Sequence, residues 1–166
     1  EQSATEVIRQ VSIAYGGTPE SDGRLKNLFA WDESYSLGMV ISTIERWVNK
    51  NRGGLTPVVV IDYVQRLRPP KVGPSRERDV ASSVEELQRV GRRLGYLTIA
   101  AAQLNRLSQS EGGPALHHLR ESGTIEQAGD VVLLLSKISQ EHLQIIIAKN
   151  RYGRSGETID LSVDFE

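Results

Sequence analysis

Apolar residues along this chain follow two rhythms. Val7, Ile8, Val11 and Ala14 recur at helical spacing, as do Leu37, Val40, Ile41, Ile44, Trp47 and Val48, and then Val80, Val84, Leu87, Val90 and Leu94. Each stripe predicts an amphipathic helix. Ser3-Ala4-Thr5-Glu6 has the S-x-x-E form of a capping box before the first, and Gly16-Gly17 can end it. The second should span residues 36–51 and stop at Gly53-Gly54; Gly95 stands where a C-terminal cap would close the third. Between these stripes lie short continuous apolar runs. Leu28 to Trp31, Pro57 to Ile61, Tyr96 to Gln103 and Val131 to Leu135 read as strands. Val58 to Ile61 is an unbroken run rich in β-branched residues, the pattern of a strand buried on both faces. Leu143 to Lys149 and Thr158 to Val163 read as a hairpin turned by residues 150–156. Strands alternating with helices imply right-handed βαβ units, hence an α/β fold with a mostly parallel sheet flanked by helices and a C-terminal antiparallel hairpin.

Two stretches break the rhythm. Residues 66–78 carry Arg66, Arg68, Lys71, Arg76 and Arg78 among Pro69, Pro70, Gly73 and Pro74, which predicts a basic, non-helical loop suited to solvent or to phosphate. Residues 104–127 are long and polar. They include His117-His118, but adjacent histidines point in different directions and no partner stands at ligand spacing, so metal is not indicated there.

Composition narrows the classes. A chain of 166 residues can build one domain with a real core. Its formal net charge of −1 announces neither nucleic acid nor membrane, so any DNA contact must come from local basic segments. Without cysteine there is no disulfide framework or thiolate metal site, which fits a cytoplasmic protein. No apolar run approaches the ~20 residues of a membrane helix. The chain opens at Glu1, at the mouth of a helix and without a leading strand, so it is expected to be part of something longer.

The candidate chemistry clusters at strand ends. Ligands of open α/β sheets bind beyond the carboxyl ends of the strands, where Asp62 follows Val58 to Ile61 and Gln103 closes the run from Tyr96. A carboxylate there can hold Mg²⁺ on a bound nucleotide, as the Walker B aspartate of P-loop ATPases does; an ordinary turn aspartate is the plainer alternative. Lys149 and Arg151 alternate at the end of a strand and so should share a face.

Three segments in order carry a resemblance. Ala102-Gln103-Leu104-Asn105-Arg106 resembles the S-Q-L-N-R signature of DnaB-type replicative helicases. The run from Leu119 to Gln127, with Asp130-Val131-Val132, resembles their L-R-E-S-G-x-I-E-Q-x-A-D-V block, and Ile145 to Gly153 their I-I-I-x-K-x-R-x-G hairpin. The resemblance covers nearly the whole chain, weakest over 16–30 and 66–80. Ala102 replaces the usual serine and Gly129 the usual alanine. Glu1-Gln2-Ser3 is similar to the family's E-M-S, just after the phosphate-binding Walker A loop. No G-x-x-x-x-G-K-S/T occurs in these 166 residues, so residues 1–166 read as a partial RecA-like P-loop NTPase domain lacking that segment, expected to bind ATP poorly alone.

That resemblance implies specific roles. Glu1 would orient the attacking water, Asp62 would hold Mg²⁺ on ATP, and Gln103 would sense the γ-phosphate. Arg151 would be an arginine finger reaching a neighbouring subunit's nucleotide, with Lys149 beside it. Arg120, Glu121 and Gly123 would lie on a loop facing single-stranded DNA in the channel of a homo-hexamer, with Asn105 and Arg106 coupling that loop to Gln103. Primase and a helicase loader are the implied further partners. The alternatives are a RadA- or KaiC-like ATPase, against which the L-R-E-S-G-x-I-E-Q block argues, and a non-catalytic RecA-fold module serving assembly or DNA binding.

Overall fold

The computed structural model describes residues 3–14, 28–32, 35–51, 54, 56–104 and 123–162. The chain divides into two compact units, Glu1–Tyr35 and Ser36–Glu166. In the first, helix α1 spans Ala4–Ala14. Its capping box is half formed: Ser3 Oγ accepts from the Glu6 amide at 3.2 Å, but the Glu6 carboxylate turns to Arg9 and Gln10 instead. Asp32 supplies a further cap, accepting from the Ala4 amide at 2.8 Å. The strand expected at residues 28–31 is not formed, since this segment has no partner strand among the described residues.

In the second unit, α2 spans Leu37–Lys50 and closes on Asn51, whose amide and side chain both donate to the Trp47 carbonyl. Strand β1 is Val58–Ile61 and pairs in parallel with β2, Leu97–Ala100. Between them runs α3, Arg76–Leu94, opened by Ser75 and closed by Gly95 at φ 75°, a left-handed position that glycine adopts without a Cβ clash. The basic loop is therefore shorter than expected. Val64–Arg66 forms a 3₁₀ turn, and residues 76–78 belong to the first turn of α3, where Glu77 and Asp79 favour the positive end of the helix dipole. Asp79 is buried and its carboxylate accepts from the Gly73 amide at 2.6 Å, which ties the proline-rich loop to the helix.

The core sits where α2 and α3 meet β1 and the 3₁₀ turn. Leu37, Ile44, Val48, Ile61, Val64, Leu87, Val90 and Tyr96 form it. Gly91 permits the approach of Tyr96, whose ring carbon would lie 3.3 Å from a Cβ there. Burial pushes the Tyr96 phenol up to about 12, and its hydroxyl donates to the Leu87 carbonyl at 3.3 Å. β1 is not covered on both faces as its run of apolar residues predicts: Val58 and Val60 are exposed, as are their register partners Leu97 and Ile99, while Val59 and Ile61 face the core. The pattern of residue types reports apolarity, and only packing decides which face is covered.

The rest of the unit is a helix and a separate sheet. Helix α4, Gly123–Ala128, leads into β3, Val131–Lys137, followed by β4, His142–Asn150, and β5, Thr158–Ser162. These three strands form an antiparallel sheet in the order β3-β4-β5, so the hairpin is as expected but the sheet is not mostly parallel among the described residues. Strand β3 is half-buried rather than buried, with Val131, Leu133 and Leu135 exposed and Leu134 inside. Pairing shifts register between Val132 and Leu133, which face Lys149 and Ile147, and so leaves Ala148 as a bulge directly before Lys149.

Candidate functional site

Beyond the carboxyl ends of β1 and β2 the two chains stay tied although the strands have ended. Ile61 O accepts from the Ala101 amide at 2.9 Å, and Ala101 O accepts from the Val64 amide at 2.9 Å. Asp62 lies in the chain between the residues that make these two bonds, and the Asp62–Tyr63 peptide is cis. Its carboxylate is exposed and has no hydrogen-bond or ion-pair partner among the described residues. Two residues past Ala101, the Gln103 amide donates to Gln65 Oε1 at 3.2 Å while Gln65 Nε2 donates to the Gln103 carbonyl at 2.9 Å. The backbone of Gln103 is thus gripped and its side chain left exposed, without a partner among the described residues. Asp62 and Gln103 do converge on one edge, as expected. A lone exposed carboxylate at this edge fits Mg²⁺, which keeps several waters and takes few protein ligands. Ala102 packs against the core, so the methyl that stands for the usual serine has an apolar setting.

The second group of candidates lies at the end of β4. Lys149 Nζ donates to the carbonyls of Glu126 at 2.6 Å and Gln127 at 3.2 Å, capping the last turn of α4. Arg151 falls just past the strand rather than on it. Its guanidinium pairs with the Asp130 carboxylate at 2.5 Å, and its amide donates to the Asp130 carbonyl at 2.8 Å. Both cations therefore reach the same short segment, 126–130, although Arg151, lying past the end of β4, does not alternate with Lys149 on the strand as expected. Gly129 fits this junction closely. A Cβ would meet Val132 Cγ2 at 3.1 Å, so the usual alanine would need a small shift.

The expected DNA-facing residues divide. Gly123 is the first residue of α4, not a loop residue, because Ile125 packs against the core and Lys149 caps the helix. Glu1, Arg106, Arg120 and Glu121 lie outside the described residues, as do His117 and His118. Among the described residues no group of three or more histidine, cysteine or carboxylate side chains could hold a metal, and no helix is long and apolar enough to cross a membrane. Sequence reasoning missed two residues at these sites. Gln65 was visible as a polar residue closing the I-D-Y-V-Q run, and Asp130 as the acid directly before an apolar strand.

Comparison with known proteins decides the family. Residues 23–165 match the model of the DnaB-like helicase C-terminal domain. This chain belongs to that family. The replicative DNA helicase DnaB of Buchnera aphidicola from Acyrthosiphon pisum is 30% identical over 141 residues, covering 79% of this chain and 30% of the relative. DnaB of Haemophilus influenzae is 30% identical over 140 residues, covering 78% of this chain and 30% of the relative. The chain thus spans about 30% of the length of these curated relatives. A solved structure of a DnaB-like replicative helicase, described with its interactions with primase, superposes with a TM-score of 0.68 at 32% identity, over 76% of this chain and 32% of that one. A solved ATPase domain superposes with a TM-score of 0.70 at 32% identity, over 76% of this chain and 48% of that one. The fold is accordingly that of DnaB-type ATPase domains, carried here on a parallel pair and an antiparallel sheet.

Proposed function

We propose that this DnaB-family chain is part of the motor domain of a replicative DNA helicase, which couples ATP hydrolysis to translocation along single-stranded DNA and to duplex unwinding. The carrying observation is the shared strand edge that carries Asp62 and Gln103, whose side chains have no partner among the described residues, beside backbone that is held. A held backbone presents such side chains to a nucleotide from a fixed base, and the side chains need break no bond to the described residues before they act. Asp62 would hold Mg²⁺, which neutralises charge on the β- and γ-phosphates of ATP. Gln103 would hydrogen-bond the γ-phosphate, and Glu1 would orient the attacking water. Lys149 and Arg151 would serve the nucleotide of the adjacent subunit in a homo-hexamer. Arg120, Glu121, Gly123 and Arg106 would meet the DNA backbone, a sequence-independent grip that weakens as salt rises. Primase and a loader complete the proposed partners, and the cytoplasm is the proposed compartment.

The reading is tested on the full-length helicase that carries this chain. Its ATP turnover, measured with and without single-stranded DNA, should rise on DNA addition, and a forked duplex should be unwound only with ATP and Mg²⁺. Turnover indifferent to DNA, with no unwinding, would refute the motor reading and leave a binding module.

A further inference from the structure

The grip on Gln103 is built from a side chain, not from the sheet. Pairing between β1 and β2 ends at Ile61 and Ala100. The reciprocal bonds of Ala101 with Ile61 and Val64 extend it by one residue. Gln103 lies further out, where β1 has already turned away into Val64–Arg66. A backbone amide and carbonyl this far past the strands would have no protein partner. Gln65 fills that place: its primary amide offers one donor and one acceptor in the same plane, as a peptide of a neighbouring strand would. Both are used, on the carbonyl and the amide of one residue.

The base from which Gln65 reaches is itself firm. Val64 and Leu67, on either side of it in the chain, are 1% and 4% exposed. The Arg66 amide donates to the Tyr63 carbonyl at 3.0 Å, and the Leu67 amide to the Val64 carbonyl at 3.2 Å, so the turn closes on itself. Asp62 stands three residues before Gln65 at the head of this turn. A displacement of the Asp62 end therefore moves the amide that holds Gln103.

We infer that Gln65 is a positioning residue. Through its two hydrogen bonds it fixes the backbone from which the Gln103 side chain extends, and so couples the metal-holding turn to the phosphate-sensing one. This rests on the proposed role of Gln103 in ATP turnover. No other side chain of similar size does the same work. Glutamate keeps the acceptor for the Gln103 amide but sets a carboxylate against the Gln103 carbonyl. Methionine fills the volume and makes neither bond.

The test is a double-mutant cycle in the full-length helicase: Gln65→Met, Gln103→Ala and both together, with ATP kcat and KM measured at saturating single-stranded DNA. A misplaced catalytic contact costs about 10- to 100-fold, so Gln65→Met should lower kcat by that much with KM within about threefold. On the Gln103→Ala background, where no side chain remains to position, Gln65→Met should add less than about twofold, because residues acting as one unit are non-additive. A merely structural role predicts losses that multiply in the double variant, and that result would overturn the inference, as would wild-type turnover in Gln65→Met. Gln103→Ala at the wild-type rate would instead sink the sensor role itself, and the two failures are distinct. If Gln65→Met does not assemble, Gln65→Glu serves the same cycle with the same expected non-additivity and the same overturning result.

Discussion

At the ends of β1 and β2 the backbones are tied and the candidate side chains, Asp62 and Gln103, are exposed without a partner among the described residues; at the end of β4 the candidate side chains are tied. Lys149 is spent on the carbonyls of α4 and Arg151 on Asp130. The first arrangement suits groups that receive a ligand brought to them, since nothing must be broken before they act. The second suits groups that act elsewhere: their contacts within the chain hold them ready, and in the proposed role Arg151 would exchange one anion for another. The Arg151–Asp130 pair is well placed for that exchange. Both side chains are nearly half exposed, 44% and 48%, and an ion pair in that setting contributes little, on the order of 0–1 kcal/mol.

The contrast can be broken at several points, and the largest effect is expected at the proposed finger, Arg151. Arg151→Ala in the full-length helicase should lower DNA-stimulated hydrolysis by about 10³-fold or more while nucleotide affinity, read by a fluorescent analogue, is unchanged. Affinity lost in step with turnover would place Arg151 inside its own subunit's pocket and erase the distinction between the two regions.

The next concerns what holds the first region still. Tyr96 leads into β2, and burial raises its phenol to about 12 from an ordinary value of 10. The folded state therefore keeps the proton that the unfolded chain gives up. Stability is full below about pH 10 and declines as pH rises toward 12, by up to about 2–3 kcal/mol. Denaturant melts at pH 9 and 11.5 should show this decline, and Tyr96→Phe should lack this part of it. An equal decline in the variant would mean that the core beneath β2 is open to water.

Smaller effects test the second region. Lys149→Met removes two charge-assisted bonds to α4 carbonyls and should cost about 1 kcal/mol in denaturant unfolding. No change would show that α4 is held by Ile125 and its other contacts alone. Asp130→Ala should cost less than about 1 kcal/mol and leave hydrolysis within about twofold, if Asp130 only parks Arg151. A loss matching that of Arg151→Ala would instead make Asp130 part of the finger's working geometry.

Much of this was legible before the structure. The stripes of α2 and α3, the Gly95 cap and the β4–β5 hairpin appear close to where the residues place them, because the helices rest on contacts within a few positions of the chain and the hairpin on two strands joined by one turn. Asp62 and Gln103 were recognised as sharing an edge because a parallel sheet puts strand ends together. Other features were not legible. The start of α3 at Arg76 was hidden by the basic, proline-rich residues before it, although Ser75 with Glu77 and Asp79 is a helix opening. The strand expected at residues 28–31 had the right residue types but no partner strand among the described residues, and a strand is defined by its neighbour.

The sequence by itself determined the family, the presence of helices α1 to α3 and strands β1 to β5, and the kinds of group at the strand ends. Local spacing and residue chemistry are sufficient for each of these. Only the tertiary structure decided which face of β1 is covered, that among the described residues the antiparallel sheet has more strands than the parallel one, and what each polar group is bonded to. Gln65 meets Gln103 across 38 positions of the chain, and Lys149 meets Glu126 across 23. Contacts of that span arise from how the elements pack, and no periodicity within a segment encodes them.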